Sequence, residues 1–365
     1  MNAKKIRITG AILVGALWAG LTLTAWLQPP EDFSQAERRK LAQFPELSVK
    51  TVLNGKFMEK FEDYTLDQFP LRDSFRQLKA VFTYKVLQQK DNNGIYLAEG
   101  SAAKLEYPLN EQSLHGAVEK FNKLHDLYLK DSKVVFSVVP DKSYYLAEKN
   151  GYLSMDYEKL FETMEKGLPW ASHVDLTDSL TIEDYYRTDT HWRQEAIFPA
   201  AQKLSQALGV QGPVEADFSK TELQRPFYGV YYGQAALPMS SEIMYVMESE
   251  ILKGSTVLNL ENNKKSPVYD LSKENGKDQY DVFLGGPVSI QVIENPQGPD
   301  RELIVFRDSF GSSMVPLLAQ DYSKVTLIDL RYVPMAYLSK FVDFHGQDVL
   351  MLYSPMILNQ SAMLK

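Results

Sequence analysis

Residues 8–27 form an uninterrupted apolar run with no charged side chain. As a helix rising 1.5 Å per residue, its 20 residues span roughly 30 Å, the thickness of a bilayer's hydrocarbon core. Lys4, Lys5 and Arg7 precede the run, and Pro29-Pro30 ends it. The bias of basic residues toward the cytoplasmic side then keeps the N-terminus inside and places the rest outside. A cleaved signal peptide is the competing reading, with Leu23-Thr24-Ala25 as a mediocre cleavage site. The run is long for a signal's apolar core, so an uncleaved signal-anchor is expected. Both readings export the remainder.

After the anchor the period changes. Phe57 to Tyr64 and Phe75 to Leu87 repeat apolar residues at helical spacing, separated by a break at Asp67-Gln68-Phe69-Pro70-Leu71-Arg72. Asn92-Asn93-Gly94 signals a turn, and Ile95-Tyr96-Leu97 a short strand. From residue 111 helix and strand alternate. Leu114, Val118, Phe121, Leu124, Tyr128 and Leu129 make one helical face. Residues 134–139, 303–306, 325–328 and 349–352 read as buried strands, and 173–176 as a shorter one. Residues 188–208 are expected to be helical, as are 311–319, the latter with a kink at Pro316. Short apolar strands alternating with helices predict an α/β fold with a parallel sheet covered on both faces. Residues 225–300, richer in Gly, Pro, Asn and Tyr, read as an irregular excursion. The expected organisation is an anchor at 1–30, a helical stalk at 31–95 packing on the main domain, and an α/β domain at 96–365.

Charge and composition narrow the chemistry. The 365 residues carry a net charge of −8. Three positive charges and no negative one fall in residues 1–30, which leaves −11 for the exported part. Bulk charge therefore excludes a nucleic-acid binder, and binding of anionic lipid heads or polyanions through bulk charge. The absence of cysteine excludes disulfides, Cys-ligated zinc, iron–sulfur clusters and a thiol nucleophile. It also suits a bacterial envelope protein better than a eukaryotic secreted one.

In open α/β sheets, sites form at the carboxyl ends of strands. Leu303-Ile304-Val305-Phe306-Arg307-Asp308-Ser309-Phe310-Gly311 reads as a strand, a tight turn and a helix start. That layout exposes a serine Oγ beside free backbone N–H groups. From the residues alone, capping of the next helix by Asp308 or Ser309 is the favoured reading. The second place is Tyr185-Tyr186-Arg187-Thr188-Asp189-Thr190-His191-Trp192, where an Asp two residues before a His can orient its imidazole. Capping by Thr188, Asp189 or Thr190 is the plainer alternative. Of the five histidines, His191 has the best arrangement for a general base. No recognisable ligand spacing accompanies the Asp-x-His pair, so neither a metal nor a cofactor is expected.

Together these stretches resemble the DHHW proteins and the related alginate O-acetyltransferase family. Asp189-Thr190-His191-Trp192 and the later Asp308-Ser309-Phe310-Gly311 carry the resemblance. So do Ala36-Glu37-Arg38-Arg39-Lys40-Leu41-Ala42-Gln43-Phe44-Pro45, Asp67-Gln68-Phe69-Pro70-Leu71-Arg72, and Val138-Val139-Pro140-Asp141-Lys142-Ser143-Tyr144-Tyr145. The resemblance implies an SGNH hydrolase-like fold in permuted order, with Ser309 as nucleophile, His191 as general base and Asp189 as its orienting carboxylate. It implies substrate contacts from Lys142, Tyr145, Tyr232 and Gly233, with Tyr228 and Tyr231 as further stacking faces. The activity implied is O-acetyl transfer to an envelope or exported polysaccharide. The donor would be a multi-pass membrane acyltransferase, and the cell-membrane anchor would hold the C-terminal domain outside. An acyl esterase of the same fold and a non-catalytic glycan-binding scaffold are the alternatives.

Overall fold

The computed structural model describes residues 3–34 and 36–365. The boundaries drawn at 1–30 and 31–95 therefore include positions outside the described residues. Two compact units divide the chain: Met1–Asn92 with Ala236–Pro238, and Asn93–Ala235 with Met239–Lys365.

The second unit is built on an eight-stranded sheet. Its strands are β1 (Val134–Val138), β2 (Ser172–His173), β3 (Thr256–Asn259), β4 (Lys264–Ser266), β5 (Ile290–Glu294), β6 (Glu302–Arg307), β7 (Lys324–Ile328) and β8 (Asp348–Tyr353), in the order β4-β3-β5-β7-β6-β8-β1-β2. From β7 to β2 the strands are parallel. β5, β3 and β4 extend the sheet antiparallel. Every residue of β8, and every residue of β6 after Glu302, is buried. Successive side chains alternate between two cores. Val305, Leu327 and Leu350 join the core of helices Phe198–Leu208 and Gly311–Leu318. Ile304, Phe306 and Met351 join that of helices Glu111–Leu124 and Tyr157–Gly167. Burial on both faces is why these strands read as continuous apolar runs.

Residues 225–300 depart from the expected irregular excursion, because they supply β3, β4 and β5. In β3 only Val257 is buried, and β4 exposes Lys264 and Lys265 at the sheet edge. Lysines on an outer strand block further pairing and erase the apolar alternation that would reveal it.

In the first unit, helix Ala3–Leu27 contains a segment, Lys5–Leu27, long and apolar enough to cross a membrane. Helices Val49–Leu53, Lys56–Asp67 and Arg72–Val81 follow. An ion-pair knot ties two of the sequence stretches noted above. Arg39 holds Asp67 at 2.5 Å, and Arg72 reaches Glu37 at 2.5 Å and Asp67 at 3.5 Å. The hydrogen bond from Arg39 holds the Asp67 carboxyl below its ordinary range. Phe44 packs edge-on against Phe57, Phe61 and Tyr64.

Candidate active site

Strand β6 delivers Ser309. Beyond Arg307 the chain turns sharply, then enters helix Gly311–Leu318. The buried Asp308 carboxylate shapes this turn. Oδ1 accepts the Phe310 N–H at 3.0 Å, and Oδ2 accepts the Ser354 N–H at 2.7 Å, beyond the end of β8. Gly311 makes the turn possible, because a Cβ there would lie 2.7 Å from the Cβ of Arg307. Asp308 thus fixes the turn, and Ser309 is left half-buried with its Oγ 2.8 Å from His191 Nε2. The Ser309 N–H donates to nothing among the described residues.

His191 sits in a tight hairpin and not in a helix. The expected helix over 188–208 begins only at Phe198, with Pro199 in its first turn. Upstream, local polar bonds win over helical ones. Tyr185 bridges Trp192, the Tyr186 N–H reaches the His191 carbonyl, and the Asp189 carboxylate accepts the His191 N–H at 3.0 Å. The same Oδ1 stands 2.6 Å from His191 Nδ1. A carboxylate can only accept, so Nδ1 carries the proton and Nε2 offers its lone pair to Ser309. Asp189 is fully buried, and its Oδ2 accepts the Val230 N–H at 2.7 Å. The imidazole lies flat on the Tyr280 ring, with centroids 4.0 Å apart and planes 11° apart, and Phe310 tilts against it at 5.1 Å. Tyr280 is held in turn by its hydroxyl, 2.8 Å from Ser313 Oγ, which also accepts the Trp192 indole N–H at 2.9 Å.

Three supports of this hairpin carry no signal in the local sequence. The Glu242 carboxylate accepts the N–H groups of Arg187 and Thr188 and the Thr188 hydroxyl, at 2.8, 2.9 and 2.9 Å. Gly229 donates to Thr188 Oγ1 at 3.0 Å and packs so closely that a Cβ would fall 2.3 Å from the Asp189 Cβ and 2.4 Å from its Cα. Tyr280 arrives from far along the chain.

Lys142 has a different place from the substrate contact the resemblance implies. Its side chain is buried, and its ammonium donates to the carbonyls of Tyr186, Arg187 and Asp189 at 2.7, 3.0 and 3.1 Å. All three ammonium protons are committed to backbone beneath the hairpin. Burial pushes its pKa down to about 7, against the pull of Asp189 and Glu242. Lys142→Met keeps the stem and removes every donor. Carbonyls left unpaired cost about 1–3 kcal/mol each, offset in part because no ammonium is then buried. The expected net loss, read by urea unfolding, is roughly 2 kcal/mol; an unchanged midpoint would contradict this support role. Tyr145 is half-buried and donates to the Thr177 carbonyl at 3.3 Å. Tyr232 ties its N–H to the Thr188 carbonyl at 3.1 Å and packs its ring on Tyr228 at 4.6 Å. Gly233 is buried in helix Val230–Ala235, whose first N–H serves Asp189. Tyr231 is buried, its hydroxyl 3.0 Å from Thr190 Oγ1. Tyr228 is 43% exposed.

The model of the DHHW protein family matches residues 160–328, which take in Asp189, His191 and Ser309, so the resemblance read from the sequence holds. A probable alginate O-acetylase, AlgJ, of Pseudomonas syringae pv. tomato is 27% identical over 233 residues, covering 57% of this chain and 53% of that protein. The match thus spans about half the length of that relative. A DHHW family protein from Eubacterium siraeum superposes with a TM-score of 0.57 at 17% identity, covering 73% of this chain and 93% of the other. Bacillus cereus PatB1 gives 0.55 at 19% identity, covering 72% and 96%. These likenesses establish the SGNH hydrolase-like fold, a large mixed sheet flanked by helices.

Proposed function

We propose that this chain is a membrane-anchored, extracytoplasmic O-acetyltransferase that passes acetyl groups through Ser309 to a polysaccharide hydroxyl. The observation that carries the reading is the relay Asp189–His191–Ser309, with contacts of 2.6 and 2.8 Å along it. The similarity to a probable alginate O-acetylase supports the acyl-transfer class. Ser309 Oγ attacks the carbonyl carbon of the donor ester while His191 Nε2 takes its proton. The carbonyl oxygen, now negative, meets the unpaired Ser309 N–H. The donor alcohol leaves with the proton from Nε2, and an acetyl-serine remains. The acceptor hydroxyl then gives its proton to Nε2 and attacks the acetyl carbon, which restores Ser309. Asp189 balances the imidazolium that forms in each half. Tyr280 presents its ring face to the same cation. The anchor would hold this serine beside a multi-pass membrane acyltransferase that supplies the acetyl group. Lys142 enters this account as a support of the hairpin, and Tyr228 and Tyr232 as the faces available to a sugar ring.

Water in place of the sugar hydroxyl would make the same relay an esterase. The test is to give the full chain an activated acetyl ester with a panel of oligosaccharides, alginate oligomers among them. Acetylated oligosaccharide in the mass spectrum is the expected result; free acetate alone, whatever the acceptor, would make hydrolysis the function.

The hairpin's close packing gives a second check. Gly229→Ala forces a methyl group against the Asp189 backbone and shifts the carboxylate from His191. A displacement near 1 Å at such a site costs on the order of 10²-fold in rate. The predicted loss falls in kcat for the activated ester, with the far-ultraviolet circular dichroism unchanged. Wild-type kcat in this variant would remove the positioning argument.

A further inference from the structure

The first unit turns the apolar side of a helix outward. Leu71, Phe75, Leu78, Phe82 and Val86 line one side of helix Arg72–Val81 and of the wider turn Phe82–Val86 that continues it. Steps of three and four residues place them in one stripe. All five are exposed, from 43% for Phe75 to 68% for Leu71, whereas Ala80 and Thr83 are buried. A helix of a water-soluble domain does the reverse. Leu71 also holds a φ of +56°, a conformation unfavourable for a bulky side chain, at the head of the stripe.

Charge says what suits this stripe. Lys79 and Lys85 are exposed and flank it on opposite sides. Residues 71–90 contain Arg72, Arg76, Lys79, Lys85 and Lys90 against Asp73, and although Arg72 and Arg76 pair with Glu37, the segment stays basic in an exported part that is otherwise strongly acidic. A Phe/Leu face edged by lysines is the pattern of a helix lying in the headgroup layer of a bilayer. The lysine stems cover the apolar edge while their ammonium groups stay at the phosphates. A second copy of the same helix would bring lysine against lysine. The apolar Lys5–Leu27 helix lies in the same unit.

We propose that residues 71–86 dock on the anionic surface of the membrane, with the five apolar side chains at the acyl boundary and Lys79 and Lys85 at lipid phosphates. This rests on the anchored reading of the N-terminal helix, which the experiment checks separately. The chain has no cysteine, so each single-cysteine variant takes one label. Full-length Leu78→Cys, Phe82→Cys, Leu17→Cys and the exposed control Lys166→Cys would carry an environment-sensitive fluorophore in phosphatidylglycerol–phosphatidylethanolamine vesicles. Labels at 78 and 82 should be quenched severalfold more by brominated lipid than by iodide, and the label at 166 the reverse. Lys79→Glu with Lys85→Glu should move the 78 label toward iodide. Iodide quenching at 78 and 82 alongside lipid quenching at 17 would overturn the surface and leave the anchor. Shielding of 78 and 82 from both quenchers would overturn it in favour of a protein partner. Iodide quenching at 17 would overturn the anchor and, with it, this proposal.

Discussion

Ser309→Ala is expected to lower kcat/KM for an activated acetyl ester by roughly 10⁴- to 10⁶-fold, the range seen when a nucleophile is removed from a serine relay. The substitution deletes one oxygen from a half-buried side chain whose Oγ, among the described residues, bonds only to His191. Asp308 shapes the turn through its bonds to Phe310 and Ser354, and Gly311 admits the helix, so the backbone has no reason to move. The Ser309 N–H remains in the variant, so weak residual turnover by water should survive. Thermal unfolding within about 0.5 kcal/mol of the parent is expected for such a change. Activity within tenfold of the parent would show that another group carries the acyl transfer.

Asp189→Asn is expected to cost about 10⁴ in kcat, or roughly 5.5 kcal/mol of barrier. The substitution sets donors against donors. The Asp189 oxygens accept from His191 Nδ1, from the His191 N–H and from the Val230 N–H, in a fully buried place. An asparagine must turn its NH₂ toward one side. Toward Val230, it leaves two N–H groups opposed. Toward His191, it forces the proton from Nδ1 to Nε2, and Nε2 then faces the Ser309 hydroxyl as a donor and cannot take its proton. A buried donor left unpaired also destabilises the fold by about 1–3 kcal/mol. Both effects are measurable, kcat by ester hydrolysis and stability by urea. Parent-like kcat with reduced stability would reduce Asp189 to a structural carboxylate.

The residues proposed to do the chemistry are legible because each pair lies close in the chain. Asp189 and His191 are two apart, and Asp308-Ser309 ends an apolar run that can only be a buried strand. The same holds for the parallel core, since β1, β6, β7 and β8 are buried on both faces and leave unbroken apolar text. Other features failed for identifiable reasons. The helix expected at 188 was overridden by side-chain bonds from Asp189 and Glu242 that no periodicity records. β3 and β4 lie toward the sheet's edge, where β3 buries only Val257 and β4 exposes Lys264 and Lys265, so their text reads as loop. Tyr280 is one tyrosine among 21, and only the fold lays it flat on His191. Lys142, a substrate contact by the resemblance, shows no partner in its local text. Its three carbonyl partners come from a hairpin 44–47 residues later in the chain.

The central claim is that an acyl group rests on Ser309 while His191 and Asp189 move the proton. Its most direct test is to quench the full chain milliseconds after mixing with an activated acetyl ester and to map the modification by peptide mass spectrometry. The account predicts one acetyl group on the peptide that carries Ser309, its loss in Ser309→Ala, and its discharge when an acceptor oligosaccharide is added. Acetylation elsewhere, or turnover with no acyl-enzyme and no dependence on Ser309, would contradict it.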